Sequence, residues 1–470
     1  MTGPTPLVEA TTAALLADPA ALDELTGAYG SPVNVVFPDV FAANADAFRQ
    51  VLTGRGLDHR ICFAHKANQA RTFAAAALRG GIDIDVASAG ELASALAAGF
   101  PPERIEATGP KGEAMLRRLL PYAGLTVNVD NLWELEKIAE LAAGRVPVLL
   151  RMSGGRRVSR FGIAPAGFPE AFELIRKHHD RLDLRGVSFH LDTGDLAEKT
   201  AAVAAALELI ETAYGHGLAP RVLNIGGGYR QAYLADPATF DAYVQELKQS
   251  LLGHGPPMAW GGYTFGYRID RDGVLRGTPV FHRYTGAVSG PDMLAELLDT
   301  PLGGGRTVAE TLRENLIELW IEPGKALVDH AGLTVASVEF TKAAADGSPL
   351  VNLDLSRDTV TPADQEVLLD PVVVYRGGDY DDTPCGVYLA GNLCLERDMI
   401  SNHLVRLPRL PVPGDLVVFV NTAAYQMDLS ATEALMHPRP PKVAAARRGG
   451  VFHFVRDNGG TPCSTGTSPT

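Results

Sequence analysis

Three reactive side chains of this chain follow short runs of β-branched and apolar residues. Lys66 stands in FAHKAN, His190 stands in SFHLDTGD, and Glu322 opens the EPGK turn that also contains Lys325. A lysine with apolar neighbours can lose its hydration and become poised for Schiff-base chemistry. The residues alone leave ordinary alternatives open: a solvated lysine at a helix start, a packed core histidine and an exposed ion pair.

Three further motifs carry groups that could hold an anion or move a proton. Gly226, Gly227 and Gly228 follow a strand-like run, and consecutive glycines let backbone N–H groups approach an anion closely. The G-x-G-x-x-G spacing of a dinucleotide site is missing. Cys394 lies in LAGNLCLERD, where a thiol in polar company can transfer a proton, and Tyr425 ends the run VNTAAY. A tight turn, a structural cysteine and a core tyrosine are the corresponding structural alternatives.

The elements that must position these groups alternate between two kinds from about residue 34. Short β-rich runs such as VNVVF, IDIDVAS and VPVLLRMS are each followed by a helical stretch. Such alternation indicates βαβ units with a parallel sheet, and so many units in series favour a closed barrel over an open sheet. Catalytic groups gather at the carboxyl ends of barrel strands, which is where Lys66 and His190 fall. The predicted fold class is therefore α/β, with a TIM-like β/α barrel.

After IEPGKALVDHAG the chain changes to strand-like runs joined by Gly, Pro and Asp turns, which predicts a C-terminal β-rich domain. We expect an N-terminal segment at 1–33 that partly joins the β domain, the barrel at 34–330, the β-rich domain at 331–455 and a disordered tail at 456–470. A Gly- and aromatic-rich insertion at about 253–310 interrupts the barrel, either as a functional lid or as surface decoration.

The composition argues against several classes of partner. The formal net charge of −13 does not suit a nucleic-acid surface, which needs clustered Lys and Arg. No apolar run is long enough to cross a bilayer, and the amino terminus lacks the basic start and apolar stretch of a secretory signal. The 4 cysteines show no metal-ligand spacing. We therefore expect a cytoplasmic protein that acts on a small molecule, with no metal, membrane or nucleic-acid partner.

A set of motifs occurs in a fixed order: FAHKAN at 63–68, DVASAGEL at 85–92, SRFGI at 159–163, SFHLDTG at 188–194, NIGGGY at 224–229, EPGK at 322–325, CLERD at 394–398 and AAY at 423–425. This order resembles a divergent branch of the ornithine and diaminopimelate decarboxylase family, within the fold-type III pyridoxal-phosphate enzymes with an alanine-racemase-like barrel. The likeness spans roughly residues 30 to 445. It implies a cofactor-binding β/α barrel, a β-rich domain and a homodimer with shared active sites.

The resemblance also implies a role for each motif residue. Lys66 would carry pyridoxal 5′-phosphate, His190 would stack on its ring, and Glu322 would face its pyridine nitrogen. Cys394 would come from the other subunit as the proton donor. The phosphate would be held by the following residues: Thr193, the backbone of Gly226, Gly227 and Gly228, Lys325 and Tyr425.

Glu322 selects among the reactions that this cofactor supports. A carboxylate raises the pKa of the ring nitrogen, and a protonated ring accepts the electron pair left when carbon dioxide departs. Racemases of this fold class present an arginine there. The resemblance therefore implies decarboxylation of an amino acid or an amino-acid derivative. An amino-acid racemase or epimerase, a non-catalytic cofactor-binding homologue and a sugar- or phosphate-binding barrel are the alternatives.

The chain departs from the family pattern in the expected substrate pocket. The family places an acid directly after the cysteine to contact the distal amine of a diamino substrate, whereas this chain has Leu395. Burying an unpartnered ammonium against leucine costs on the order of several kcal/mol. The sequence therefore argues against ornithine, lysine or diaminopimelate as substrate, unless Glu396 or Asp398 takes over that contact. Lys325 replaces the usual arginine, and Asp192 lies close to the expected phosphate.

Overall fold

The computed structural model describes residues 3–155, 158–285, 288–361 and 365–457. The chain divides into two compact units. The barrel unit comprises Phe41–Arg230 and Val288–Leu327, and the β-rich unit comprises Met1–Val40, Gln231–Ala287 and Val328–Thr470.

The strands are, in chain order, β1 (Val33–Val36), β2 (His59–Ala64), β3 (Asp83–Val86), β4 (Ile105–Ala107), β5 (Thr126–Val129), β6 (Val146–Arg151), β7 (Leu182–Ser188), β8 (Val222–Asn224), β9 (Tyr267–Ile269), β10 (Leu275–Gly277), β11 (Pro301–Gly303), β12 (Arg306–Thr307), β13 (Glu318–Ile321), β14 (Gly332–Ala343), β15 (Pro349–Leu353), β16 (Val372–Val374), β17 (Cys385–Ala390), β18 (Val405–Leu407), β19 (Leu416–Val420), β20 (Lys442–Arg448) and β21 (Val451–Arg456).

The α-helices are α1 (Ala10–Leu16), α2 (Pro19–Tyr29), α3 (Pro38–Thr53), α4 (Arg71–Arg79), α5 (Ala89–Ala97), α6 (Glu113–Leu119), α7 (Leu132–Leu141), α8 (Phe168–Lys177), α9 (Leu196–Gly215), α10 (Pro237–Leu251), α11 (Gly290–Asp299), α12 (Val308–Glu314) and α13 (Arg357–Val360). Single 3₁₀ turns occur at His65–Ala67, Pro102–Arg104, Pro165–Gly167, Trp260–Gly262 and Ala434–Met436.

The barrel closes through parallel strands in the order β13-β2-β3-β4-β5-β6-β7-β8. Leu319 of β13 lies opposite His59 of β2 on one side and Leu223 of β8 on the other. Strands β3 and β5 are buried at every position, as parallel strands covered on both faces require. The predicted α/β class, with a β/α barrel and a β-rich part, is confirmed.

Several helices of the barrel unit begin with side-chain caps close to the strand ends. Ser88, Asn131 and Asp195 each accept the backbone N–H three residues later, at the starts of α5, α7 and α9. Amphipathic spacing then turns one face of each helix inward; in α8, Phe168 and Phe172 are among the buried residues. Caps and packing together fix the short loops that carry the site residues described below.

A nine-stranded sheet forms the framework of the β-rich unit. Its main path is β18-β17-β15-β14-β1-β20-β21, and β19 pairs with both β14 and β16. The core packed on this sheet includes Val351, Leu353, Leu389 and Val417, all buried. Alternation of buried and exposed positions is limited here, because strands such as β19 are buried along most of their length.

The boundaries of the units differ from the predicted boundaries at residue 34. Strand β1 was expected to open the barrel, but it pairs antiparallel with β14 and parallel with β20 in the β-rich unit. A strand followed by a helix has the same local pattern whichever sheet it joins, because pairing partners are set by distant residues.

The predicted insertion at about 253–310 is divided between the units. Its first part belongs to the β-rich unit, where Met258 and Phe265 pack with Phe240 of α10, and β9 pairs with β10 as a hairpin. From Gly290 onward the chain forms α11, β11, β12 and α12 in the barrel unit. Some of the aromatic residues that suggested a lid are therefore core residues of the β-rich unit.

No helix in the described part of the chain has the length and apolar character that a membrane crossing needs. Within those same residues, His, Cys, Asp and Glu side chains form no cluster of three suited to a metal ion. Residues 458–470, which include Cys463 and most of the predicted tail, lie outside the described residues.

Candidate active site

The ends of the barrel strands surround a cavity of about 680 Å³, the barrel cavity. Carboxyl ends of parallel strands meet at one end of a barrel, which is where catalytic residues are found in this architecture. The lining includes side chains from or just after several strands: Lys66, Thr108, Asn128, Arg151, Ser188, His190 and Glu322.

Lys66 lies in a short 3₁₀ turn, His65–Ala67, that follows β2. Its side chain is 39% exposed, and its Nζ is 3.8 Å from Oδ2 of Asp85, which is 1% exposed. The hydroxyl of Thr108 donates to the other oxygen of Asp85 at 2.5 Å. A buried, fixed carboxylate beside a partly exposed amine orients that amine at the edge of the barrel cavity.

Glu322 follows β13 and is buried together with a second acid, Glu106 of β4. The amide nitrogen of Asn224 donates to Glu322 at 2.6 Å and to Glu106 at 2.9 Å. Burial and the Asp85 carboxylate raise the pKa of Glu322 to about 7, although nearby cations oppose the shift. Burial and the Glu322 carboxylate raise the pKa of Glu106 well above its ordinary value. Burial therefore favours the protonated form of Glu106, and Glu322 changes its charge near pH 7.

His190 is a neutral histidine with a defined tautomer. Its Nδ1 accepts the N–H of Gly227 at 3.2 Å and lies 4.0 Å from a Glu322 oxygen. Burial and the charges of Lys66 and Lys199 lower the pKa of His190 well below its ordinary value. Because Nδ1 is an acceptor, the ring proton is on Nε2.

The glycine turn at 226–228 admits no side chain. A Cβ at Gly228 would lie 1.8 Å from the carbonyl oxygen of Leu191, and one at Gly227 would lie 2.6 Å from that of Glu322. Gly226 and Gly228 also have φ angles of 63° and 78° in the left-handed region that favours glycine. The turn is thus a close backbone approach between β8 and the segments after β7 and β13.

Two amides of this turn donate to side chains. The N–H of Gly226 donates to Asn224 at 2.8 Å, and the N–H of Gly227 donates to His190. These bonds orient Asn224 and His190, so the turn organises the residues around Glu322. That the three amides hold an anion stays a prediction; in this structure the amides of Gly226 and Gly227 are engaged in these two bonds.

Acidic side chains from the segment after β7 also line the barrel cavity. Asp192, Thr193 and Glu198 line it, and the Thr193 hydroxyl donates to Glu198 at 2.8 Å. Lys199, the next residue of α9, is 2% exposed, and its Nζ donates to the carbonyl oxygen of Gly227. Burial lowers the pKa of Lys199 to about 7.

The predicted site residues are distributed over both units. In the barrel unit, Lys325 lies in the turn after β13, close in sequence to Glu322. In the β-rich unit lie Cys394, Leu395, Glu396, Asp398 and Tyr425. The first three of these are exposed, whereas the Asp398 carboxylate is buried and accepts the backbone N–H groups of residues 357 and 393 at 2.7 and 2.8 Å.

Several residues of the site were not among the sequence candidates: Asp85, Glu106, Arg151, Lys199 and Asn224. Asp85 opens the DVASAGEL motif and Asn224 opens NIGGGY, so both stood inside motifs already recognised. Glu106 is an acid in a short apolar strand, IEA, which is a usable signal for a buried functional acid. Lys199 lies between Glu198 and Thr200 in the polar first turns of an otherwise alanine-rich helix, where nothing marks it as buried.

Known proteins share this organisation. Residues 40–258 match the family model described as "Pyridoxal-dependent decarboxylase, pyridoxal binding domain". The chain is 32% identical over 421 residues to the "Uncharacterized protein y4yA" of Sinorhizobium fredii, covering 88% of this chain and 87% of that protein. It is 26% identical over 452 residues to the diaminopimelate decarboxylase of Bacillus subtilis, covering 91% and 89%. The chain belongs to the pyridoxal-dependent decarboxylase family.

The fold of this decarboxylase-family enzyme matches solved structures. The crystal structure of lysine/ornithine decarboxylase from Vibrio vulnificus, complexed with putrescine, aligns with a TM-score of 0.66 at 21% identity, covering 95% of this chain and 100% of that one. The cofactor is pyridoxal 5′-phosphate, and the residues present fit it. Lys66 supplies an amine at the cavity, the glycine turn is a cradle that a Cβ would fill, and Glu322 is a buried carboxylate beside His190.

Proposed function

We propose that this enzyme removes the α-carboxylate of an amino acid or amino-acid derivative whose side chain ends without an ammonium group. Pyridoxal 5′-phosphate, when bound, supplies a conjugated ring that accepts the electron pair left by departing carbon dioxide. The observation that carries the proposal is the buried Glu322 carboxylate at the end of β13. A carboxylate stabilises a proton on the ring nitrogen, which favours electron withdrawal, whereas the arginine of racemases would oppose that proton.

The residues around Glu322 would prepare the site for this reaction. Lys66 would provide the amine that holds the cofactor and is later exchanged for the amine of the substrate. Asp85, whose oxygen lies 3.8 Å from the Lys66 Nζ, would keep that amine oriented. The neutral ring of His190 would stack on the cofactor without adding a positive charge beside the ring nitrogen.

The phosphate would be held at the end of the cavity where β7 and β8 finish. We assign this contact to the Gly228 amide, with Lys325 as a further donor from the same unit. The Thr193 hydroxyl donates to Glu198 at 2.8 Å and would have to leave that bond to reach the phosphate. The role of Tyr425, which belongs to the β-rich unit, stays a prediction of the family resemblance. The amides of Gly226 and Gly227 support the contact indirectly, because they fix neighbouring side chains.

Cys394 would return a proton to the α-carbon from the second subunit of a homodimer. The segment from Cys394 to residue 397 is exposed in the single chain, as a loop that enters a partner's site must be. General-acid catalysis of this kind typically contributes about 10²- to 10⁴-fold in rate. The proposal therefore includes a symmetric dimer in which each site combines Lys66 of one copy with Cys394 of the other.

The substrate proposal follows from the loop that carries Cys394. Leu395 is 40% exposed and presents an apolar surface at the position where the family has an acid. Asp398 uses its carboxylate to hold the loop backbone, so Glu396 is the exposed acid that could still meet a polar substrate end. An apolar or neutral side chain is the best match to this surface.

The direct experiment is release of labelled carbon dioxide from a panel of ¹³C-carboxyl amino acids by the enzyme with pyridoxal 5′-phosphate. We expect release from L- or D-amino acids with apolar or neutral side chains and little release from ornithine, lysine or diaminopimelate. Lys66→Ala should abolish release. Diamino acids as the best substrates would contradict the substrate proposal, and inverted configuration without release would contradict the reaction.

The shared site is tested by mixing two inactive variants. Lys66→Ala and Cys394→Ala copies that exchange subunits form a mixed dimer with one intact site. A symmetric dimer with shared sites should recover about a quarter of the wild-type activity from an equal mixture. No recovery despite demonstrated subunit exchange would contradict the shared site.

A further inference from the structure

Lys199 is a buried lysine to which the proposed mechanism gives no role. Its Nζ donates to the carbonyl oxygen of Gly227 and lies 4.8 Å from the centroid of the Tyr229 ring. Lysine is rarely buried, because its ammonium loses hydration. A neutral donor such as glutamine would make a hydrogen bond to the same carbonyl with a smaller loss of hydration free energy. The charge of the lysine therefore needs an explanation of its own.

The contact reaches the peptide group that links Gly227 to Gly228. Lys199 binds the oxygen of this peptide, and the N–H of the same peptide is the Gly228 amide that the proposed function assigns to the phosphate. A charged donor on the oxygen is a stronger hydrogen bond than a neutral one, and bonds in a chain polarise one another. Lys199 therefore strengthens the Gly228 N–H as a donor toward an anion.

Two carboxylates that line the barrel cavity near the glycine turn would repel a phosphate bound there. Asp192 and Glu198 both line the cavity, and Glu198 is only 9% exposed. A phosphate placed beside them carries about 1.5 to 2 negative charges at neutral pH and would be repelled. Asp192 and Glu322 favour the charged form of Lys199, while burial is the largest effect and lowers its pKa to about 7.

We propose that Lys199 is a positioning residue for the phosphate of the cofactor. It aligns the peptide between Gly227 and Gly228. Its positive charge behind the glycine turn offsets the repulsion of the phosphate by Asp192 and Glu198. The inference rests on the proposed contact between the turn and the phosphate. A phosphate dianion in front of the turn favours the charged amine, so binding draws a proton from solvent onto Lys199. Cofactor affinity and proton uptake are then linked.

The test compares pyridoxal 5′-phosphate with pyridoxal, which has the same aldehyde and ring but no phosphate. Dissociation constants of both compounds are measured by absorbance on full-length enzyme freed of cofactor, for wild type and Lys199→Gln. Glutamine keeps a donor for the Gly227 carbonyl and removes the charge. Lys177→Gln at the exposed end of α8 is the matched control, and thermal unfolding shows that each variant is folded.

At about pH 6.5, we expect Lys199→Gln to raise the dissociation constant of pyridoxal 5′-phosphate at least about tenfold, equal to about 1.4 kcal/mol. The dissociation constant of pyridoxal should not change. From about pH 7 to pH 9 the wild-type preference for the phosphate form should decline, because the amine increasingly lacks its proton. The preference of Lys199→Gln should stay flat. The other titratable groups around Lys199, which include Glu322, Asp192, His190 and Tyr229, are the same in both proteins.

An equal loss of affinity for both compounds, or no loss of affinity for either, would overturn the inference. Lys199 would then have only a structural role, through its hydrogen bond to the Gly227 carbonyl. Should Lys199→Gln fail to fold, Lys199→Arg decides: it keeps the charge and should keep the preference for the phosphate form, and loss of that preference in folded Lys199→Arg would overturn the proposal. Failure of wild type to bind either compound would instead contradict the proposed function itself.

Discussion

Replacing Glu322 by glutamine should stabilise the cofactor-free enzyme at alkaline pH while it removes activity. The folded protein raises the pKa of Glu322 from its ordinary value of 4.5 to about 7. Between these values the native state keeps a proton that the unfolded chain releases, so stability falls as pH rises through this range. The full penalty above pH 7 is roughly 3 kcal/mol, because each pKa unit is worth about 1.4 kcal/mol. Glutamine resembles the protonated acid and avoids the penalty.

Urea unfolding of cofactor-free protein measures this difference, with fluorescence of the buried Trp320 in β13 as a reporter beside residue 322. We expect Glu322→Gln to be more stable than wild type by up to roughly 3 kcal/mol at about pH 8 and equal to it at about pH 4.5. Glu296→Gln, which changes an exposed carboxylate of α11, should have little effect at either pH. A gain of the same size at both pH values, or no gain at pH 8, would refute the reasoning.

Three further predictions concern the turn, the bridging amide and the substrate. Gly228→Ala should weaken retention of the cofactor at least about tenfold on gel filtration, because its Cβ would overlap the Leu191 carbonyl oxygen; wild-type retention would contradict the close approach. Asn224→Leu should destabilise the enzyme by about 2–4 kcal/mol in urea unfolding, since two buried acids lose a donor; an effect below about 1 kcal/mol would count against the bridge. Leu395→Glu should shift carbon dioxide release toward diamino acids, and an unchanged panel would contradict the role of residue 395.

Much of the site was predictable because its chemistry lies in local motifs. Lys66, His190 and Glu322 each lie within two residues of the end of a strand, and the carboxyl ends of parallel strands converge in a barrel. Their convergence on one cavity therefore needed only the strand pattern and the fold class. The family resemblance added the cofactor, which spacing alone did not identify.

The other site residues and the position of β1 were not predictable, because they depend on side-chain direction and on which sheet a strand joins. Glu106 and Asn224 meet Glu322 only because β4, β8 and β13 direct them into one barrel interior. Lys199 reaches the glycine turn from a helix, at a distance of 28 residues along the chain. Strand β1 resembles a barrel strand locally, yet tertiary pairing places it in the β-rich sheet.

The most direct test of the central claim is mass spectrometry of the product formed in heavy water from an accepted amino acid. We predict loss of the carboxylate with one deuterium on the former α-carbon in wild type, and neither change in Lys66→Ala. Deuterium at the α-carbon with the carboxylate intact would contradict decarboxylation and establish proton exchange on the same cofactor instead.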